Sequence, residues 1–316
     1  VREVRHRVRQ DDAPSLLEIV QAVVSGTLGR PLSRSEARTL VMAGAVRLDG
    51  RPVREPRRDV PRGGLIEARV RMELLHRRRP WAAPGARGRP PSVLYEDRAL
   101  IAVDKPPGLP FHAGVDPGRP HLVGWVRSYL AARDGRPPDD VYLGIHQRLD
   151  RDTSGVALLA RDEAVNRALA RQFAGREVSK TYHALTVRPA RLPPPSWTAR
   201  VSLPDARQPR RRVPAETRFR LLEAWPRGLL VEACPSTGRK HQVRIHLAGA
   251  GMPVLGDLAH GGPPAARVML HSLRLRLVHP RTREDLVIRS EYPADFARAA
   301  AALRGGGVRR SARRRR

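Results

Sequence analysis

From His76 to Pro91 the chain is dominated by Arg, Pro, Gly and Ala, and no spacing of apolar residues there could bury one face of a helix or strand. A single continuous core cannot run through such a stretch, so the sequence predicts two separately packed parts joined by a basic linker, residues 76–91. Residues 1–75 form the first part, 92–300 the second and 301–316 a tail in which a glycine run precedes a basic arm. With 316 residues there is enough chain for two ordinary cores.

The first part carries two Ser-x-x-Glu spacings, Ser15 to Glu18 and Ser33 to Glu36, each the signature of a capping box at a helix start. Gly44 can stop the second helix. Ala45 to Val53 then reads as strand, Asp49-Gly50 turn and strand, completing a helix, helix, hairpin unit. The second part alternates short β-rich runs (Leu100–Val103, Val156–Ala160, Leu229–Ala233, Leu273–Leu277, Leu286–Ile288) with few helices, of which Glu163–Phe173 is the clearest. The expected class is α+β: a small α+β domain ahead of a mixed, mainly antiparallel sheet.

The formal charge of +29 exceeds what solubility needs and points to a polyanionic partner. Lys105, Lys180 and Lys240 are the only lysines among 60 basic residues. The arginine that makes up the rest pairs phosphate through a planar fork and stacks on bases, although a genome-wide preference for arginine codons feeds the same bias. Cys234 is the sole cysteine, which excludes an intramolecular disulfide and a cysteine-based zinc cluster and fits the cytoplasm. The start lacks the apolar run of a signal peptide, and no stretch approaches the roughly 20 apolar residues that span a bilayer. RNA is the expected partner and membrane attachment is not expected.

The most informative stretch is His146-Gln147-Arg148-Leu149-Asp150-Arg151-Asp152-Thr153-Ser154-Gly155, followed by the apolar run Val156–Ala160. Taken alone it reads as a capped turn, in which an aspartate accepts backbone N–H bonds and Gly155 supplies a positive φ. It also resembles the signature of the pseudouridine synthase family that includes the ribosomal large-subunit enzymes, where Arg-Leu-Asp followed by Thr-Ser-Gly carries the catalytic aspartate. By that resemblance the aspartate is Asp150. Val93–Asp97 and Val103–Gly108 are similar to the family's opening strand pair and Lys-Pro-x-Gly turn.

Lys180-Thr181-Tyr182 resembles the family's Lys-x-Tyr motif, which implies that Tyr182 lies against the target uracil with Lys180 nearby. A tyrosine suits that work, with a flat face for stacking and a hydroxyl for a hydrogen bond, though Ser179–Val187 also reads as an ordinary half-buried strand. Thr237 to His246 resembles the segment whose arginine pairs with the aspartate. Arg244 is the first choice for that partner and Arg239 the second. His241 and His246, spaced i,i+5, do not stack on one helical face and lack a carboxylate-rich shell, so no metal is expected. Pro253–Asp257 and Met269–Leu275 extend the resemblance to roughly Val93–Phe296. Two departures stand out: Gln147 where some relatives have histidine, and His260 where tyrosine is common.

Leu32–Arg38 through Val60–Ile66 resembles the S4 RNA-binding domain, which implies that Arg34, Arg38, Arg47 and Arg51 face phosphates. The resemblance further implies an isomerase that flips a uridine of structured RNA into its pocket and needs no cofactor; Arg148 and Lys180 suit contacts to the flanking phosphates, support of the aspartate loop, or structural salt bridges. Ribosomal RNA is expected ahead of transfer RNA, and a monomer is expected. A non-catalytic ribosome assembly factor on the same fold predicts a broken set of residues, whereas Asp150, Tyr182 and Arg244 are all present. A retaining glycosidase would need a second carboxylate roughly 5 Å from Asp150, and no sequence pattern supplies one.

Overall fold

Leu16, Leu17, Ile19, Val20 and Val24 recur at the spacing of one helical face and form the buried side of α1 (Leu16–Leu28), which ends on Gly29 at φ 65°. The computed structural model describes residues 2–13, 15–32, 34–56, 58–70, 90–113, 120–205, 208 and 210–305. They fall into two compact units, one N-terminal and one larger and C-terminal. Residues 76–89 of the expected linker, Ser33 of the second expected capping box, and 306–316 of the expected tail lie outside the described residues.

The first capping box takes a different form from the one expected. The Ser15 hydroxyl donates to Glu18 Oε2 at 2.8 Å instead of accepting a backbone amide, and the amides of Glu18 and Ile19 go to the Ser15 carbonyl. After α2 (Arg34–Met42) come β2 (Val46–Leu48) and β3 (Arg51–Val53). Asp49 at φ 49° and Gly50 at φ 75° give the two positive angles that a tight hairpin turn requires. With β1 (Arg2–Arg7) and β4 (Leu65–Val70) these strands make an antiparallel sheet in the order β1-β4-β2-β3. Leu40, Val46, Ile66 and Val70 close its core on the α1 face.

The second unit holds β5 (Ser92–Glu96), β6 (Leu100–Lys105), β7 (Ser154–Ala160), β8 (Ser179–Thr186), β9 (Ser196–Pro204), β10 (Arg212–Trp225), β11 (Gly228–Pro235), β12 (Leu270–Val278) and β13 (Asp285–Arg289). In the described residues they form one nine-stranded sheet in the order β5-β6-β7-β12-β8-β11-β10-β9, with β13 on β12. The fold is therefore α+β, a small antiparallel sheet plus a mixed, mostly antiparallel one. All seven residues of β7 are buried, as its unbroken apolar run requires of a strand inside a sheet. The helices are α3 (Leu122–Asp134), α4 (Glu163–Ala174), α5 (Gln242–Gly249) and α6 (Ala294–Leu303).

Two strands fix the level at which the functional residues meet. β12 runs parallel to β7 only at His271–Ser154 and Ser272–Gly155, and beyond that β13 takes over its edge. Gly155 sits at φ 108°, and a Cβ there would lie 2.1 Å from the Ser272 carbonyl oxygen, so only glycine permits this approach. On its other side Ser272 pairs with Tyr182 of β8. The turn that enters β7 and the middle of β8 are thus separated by one strand.

Candidate active site

Asp150 ends the loop before β7, and buried cations hold the backbone that follows it. Lys105, fully buried at the end of β6, donates from Nζ to the carbonyls of Pro106 and Leu109 at 2.9 Å each and of Arg151 at 2.8 Å. Every N–H of its ammonium thereby has an acceptor. Arg267 donates from Nη1 to the Asp152 carbonyl at 3.1 Å and from Nη2 to Ser154 Oγ at 3.2 Å. Its Nε is held by Asp295 Oδ2 at 2.7 Å, at the start of α6. Successive carbonyls of the loop are thus tied to two different parts of the domain.

The segment Thr237–Gln242 sets the position of α5. Gln242 donates from Nε2 to the Glu216 carbonyl at 2.8 Å and to Thr217 Oγ1 at 2.9 Å, and its Oε1 accepts from Thr237 Oγ1 at 2.6 Å and from the Arg239 amide at 3.0 Å. All the hydrogen-bonding capacity of this buried amide is used, which pins the first turn of the helix to β10. His241 precedes that turn at φ 55°.

Arg244, one turn in, reaches Asp150. Its Nη1 donates to Asp150 Oδ2 at 3.0 Å, while Nε and Nη2 grip Asp257 at 2.7 and 2.6 Å. The Asp257 side chain is completely buried, whereas that of Asp150 is 30% exposed. One guanidinium therefore joins a sealed carboxylate to an accessible one. At the other oxygen of Asp150, His241 Nε2 stands 3.9 Å from Oδ1.

Tyr182 and Lys180 lie on β8 with side chains on the same face, by the alternation of the strand. Burial raises the Tyr182 hydroxyl pKa to about 12, with the polar Ser272 side chain opposing the rise and the nearby charge of Asp150 reinforcing it. Burial lowers the Lys180 pKa, and its Nζ donates to the Thr237 carbonyl at 3.3 Å.

The structure brings Asp150 and Arg244 into contact and places Tyr182 one strand away. Arg239, the second choice for the Asp150 partner, instead donates from Nε to the Pro214 carbonyl at 3.3 Å. Arg148 is exposed beside Asp150. In the N-terminal unit Arg38, Arg47 and Arg51 are exposed, on α2, β2 and β3, and Arg34 opens α2. Among the described residues no three His, Cys, Asp or Glu side chains cluster as a metal site would.

Sequence reasoning gave no role to Arg267, and named Lys105 and Asp257 only within segments of the resemblance and His260 only as a departure from it. A signal for Lys105 was present. In a chain with so much arginine, a retained lysine marks a position where a compact, three-donor head is needed and a planar fork does not fit, and Lys105 is such a position.

Two families of known proteins match the chain. The family described as RNA pseudouridylate synthase matches residues 99–249, and the S4 domain matches residues 28–66. The ribosomal large subunit pseudouridine synthase D of Xanthomonas campestris is 32% identical over 302 residues, covering 88% of this chain and 86% of that protein. The ribosomal large subunit pseudouridine synthase C of Vibrio cholerae is 31% identical over 232 residues, covering 67% of this chain and 69% of that one. Among solved structures, human RNA pseudouridylate synthase domain containing 4 superposes with a TM-score of 0.57 at 25% identity, covering 67% of this chain and 93% of the human one.

Proposed function

Since the chain belongs to the RNA pseudouridylate synthase family and carries an S4 domain, we propose that it isomerises uridines of ribosomal RNA with Asp150 as its catalytic carboxylate. Isomerisation breaks the bond from N1 to C1′, turns the detached uracil and joins C5 to C1′, after which C5 gives up its proton and N1 takes one, leaving the atoms balanced. No electrons and no external energy enter, so side chains alone suffice for the chemistry. The target nucleotide must leave its stack to be reached, and the ring of Tyr182 replaces part of the stacking it loses.

The observation that carries this reading is the contact of Arg244 with Asp150, because Arg244 is itself immobilised by Asp257 and so presents a partly exposed carboxylate in one orientation. Arg148 and Lys180 then serve the phosphates beside the flipped nucleotide, with Arg239 at the rim. Arg34, Arg38, Arg47 and Arg51 add phosphate contacts from the S4 side, which supports a division in which residues 1–75 supply affinity and 92–300 the chemistry. The names of the Xanthomonas and Vibrio relatives support ribosomal over transfer RNA. A monomer in the cytoplasm completes the proposal.

The test is a map of pseudouridines in all RNAs of cells with the protein, without it, and with Asp150→Asn in its place. Sites lost from ribosomal RNA in both altered strains are the expected result. Loss only from transfer RNA would move the substrate, and full modification with Asp150→Asn would remove Asp150 from the chemistry.

A further inference from the structure

The two oxygens of Asp150 face two residues at the start of α5, Arg244 and His241, and each of these is braced from behind by the same short turn. Asp257 caps a single 3-10 turn, Leu258–His260, whose last residue lies against His241. Asp257 holds Arg244, and His260 Nε2 lies 3.2 Å from His241 Nδ1 with the rings nearly perpendicular at 82°. The Asp257 carbonyl accepts the amides of His260 at 3.0 Å and Gly262 at 2.8 Å, so the turn that carries both braces is itself fastened at one point.

A contact between two imidazole nitrogens needs one proton, and its direction decides what Asp150 meets. If His241 donated from Nδ1, its Nε2 would aim a lone pair at Asp150 Oδ1 across 3.9 Å, which is repulsive. If His260 donates, His241 carries its proton on Nε2 and aims an N–H at the carboxylate instead. The charged and titratable groups facing His241 are Asp150 from the loop before β7, Arg244 and Lys240 from its own segment, and His260 from the turn. Burial lowers the His241 pKa against the pull of Asp150, and the cations and His260 lower it further, which favours the neutral ring to which this choice applies.

We propose that His260 is a positioning residue that donates from Nε2 to His241 Nδ1 and thereby fixes the His241 proton on Nε2, facing Asp150 Oδ1. The role of this relay in turnover rests on Asp150 being the catalytic carboxylate, whereas the tautomer does not. At 3.9 Å the N–H acts on the free carboxylate as an oriented dipole, and a shift of about 1 Å would make it a hydrogen bond. Arg244 thus holds Oδ2 by a hydrogen bond while His241 faces Oδ1, so each oxygen of Asp150 has its own partner at the start of α5.

The test uses the full-length protein and the variants His260→Ala and His260→Gln, the second of which keeps an N–H donor at about the same reach. Nitrogen-15 resonances of the His241 ring should report an Nε2–H tautomer in the wild type and in His260→Gln, and a mixture in His260→Ala. Single-turnover pseudouridine formation at saturating RNA should fall about tenfold in His260→Ala with RNA affinity unchanged, and should recover in His260→Gln. An Nδ1–H tautomer on wild-type His241 would overturn the proposal without any variant having to fold. So would a wild-type rate in His260→Ala, or equal losses in the two variants. Full activity in Asp150→Asn would instead defeat the catalytic reading and leave the tautomer result standing.

Discussion

Asp257 takes two of the three hydrogen bonds that the Arg244 guanidinium makes to carboxylates, at 2.7 and 2.6 Å, and leaves Asp150 the third. The accessible carboxylate thus depends on a residue that no substrate can touch. Asp257→Asn removes one of the two counter-charges of a buried cation and should destabilise the protein by about 1–3 kcal/mol, because Asp150 still faces the guanidinium. It should also slow pseudouridine formation more than it weakens RNA binding, because Arg244 is no longer aimed. Urea unfolding and single-turnover rates on the same preparation check both halves, and a loss confined to affinity would sink the prediction.

Gly155→Ala should perturb the same place through the backbone. Positive φ and a Cβ 2.1 Å from the Ser272 carbonyl both oppose any side chain there, so a loss of more than about 2 kcal/mol in unfolding free energy is expected. Because the strain falls where β7 meets β12, Asp150 and Tyr182 move apart and activity falls with it. A variant with wild-type stability and rate would show that β7 and β12 do not approach closely.

Lys105 links stability to pH. Burial lowers its pKa from 10.5 to about 7, with Arg267 adding to the fall and Asp152, Asp150 and Asp104 opposing it. Within that window the unfolded chain holds a proton that the folded chain has released, so stability rises with pH from about 7 to 10.5, and the cost of burying the charge is felt in full below it. The unfolding free energy of the wild type minus that of Lys105→Met should therefore increase across the window. A difference that stays flat would mean that Lys105 ionises at its ordinary value.

Tyr182 separates ring from hydroxyl. Tyr182→Phe keeps the stacking face and Tyr182→Leu removes it, so a single-turnover loss confined to leucine assigns the ring, and a loss in both assigns the hydroxyl. With its pKa raised to about 12, Tyr182 stays protonated through pH 10, and the rate should show no alkaline decline of its making there. An ionisation near pH 12 should vanish from the ultraviolet titration of Tyr182→Phe.

The S4 side should act through charge alone. Arg38, Arg47 and Arg51 are exposed, and replacing all three with alanine should lower RNA affinity. The slope of log affinity against log salt should flatten by somewhat less than one unit for each phosphate no longer neutralised. Turnover at saturating RNA should be nearly unchanged. Equal affinity and slope before and after would mean that this face does not meet the RNA.

Sequence legibility divided along physical lines. The hairpin at Asp49-Gly50 was readable because its turn chemistry is local, and β7 because a strand buried on both faces is a continuous apolar run. β1 was not, since Arg2–Arg7 has one fully buried residue, Val4, and otherwise reads as solvated charge. β9 has the same character, with only Leu203 buried. Asp150, Tyr182 and Arg244 could be named from motif order. Lys105, Arg267 and Asp257 could not, because what makes them important is what they meet: Arg267 reaches Ser154 across 113 positions, and Lys105 reaches Arg151 across 46. Spacing along a chain carries no trace of such meetings.

The same separations order the events of synthesis. Arg267, which holds the Asp152 carbonyl and Ser154, is itself held by Asp295. A nascent chain that has already emerged past Tyr182 and Arg244 has Lys105 for the Arg151 carbonyl, but still lacks Arg267, the second anchor of the loop after Asp150, and Asp295, which holds that anchor. A chain halted before Arg267 therefore holds the whole S4-matching segment, residues 28–66, while the loop after Asp150 is fastened at one carbonyl only.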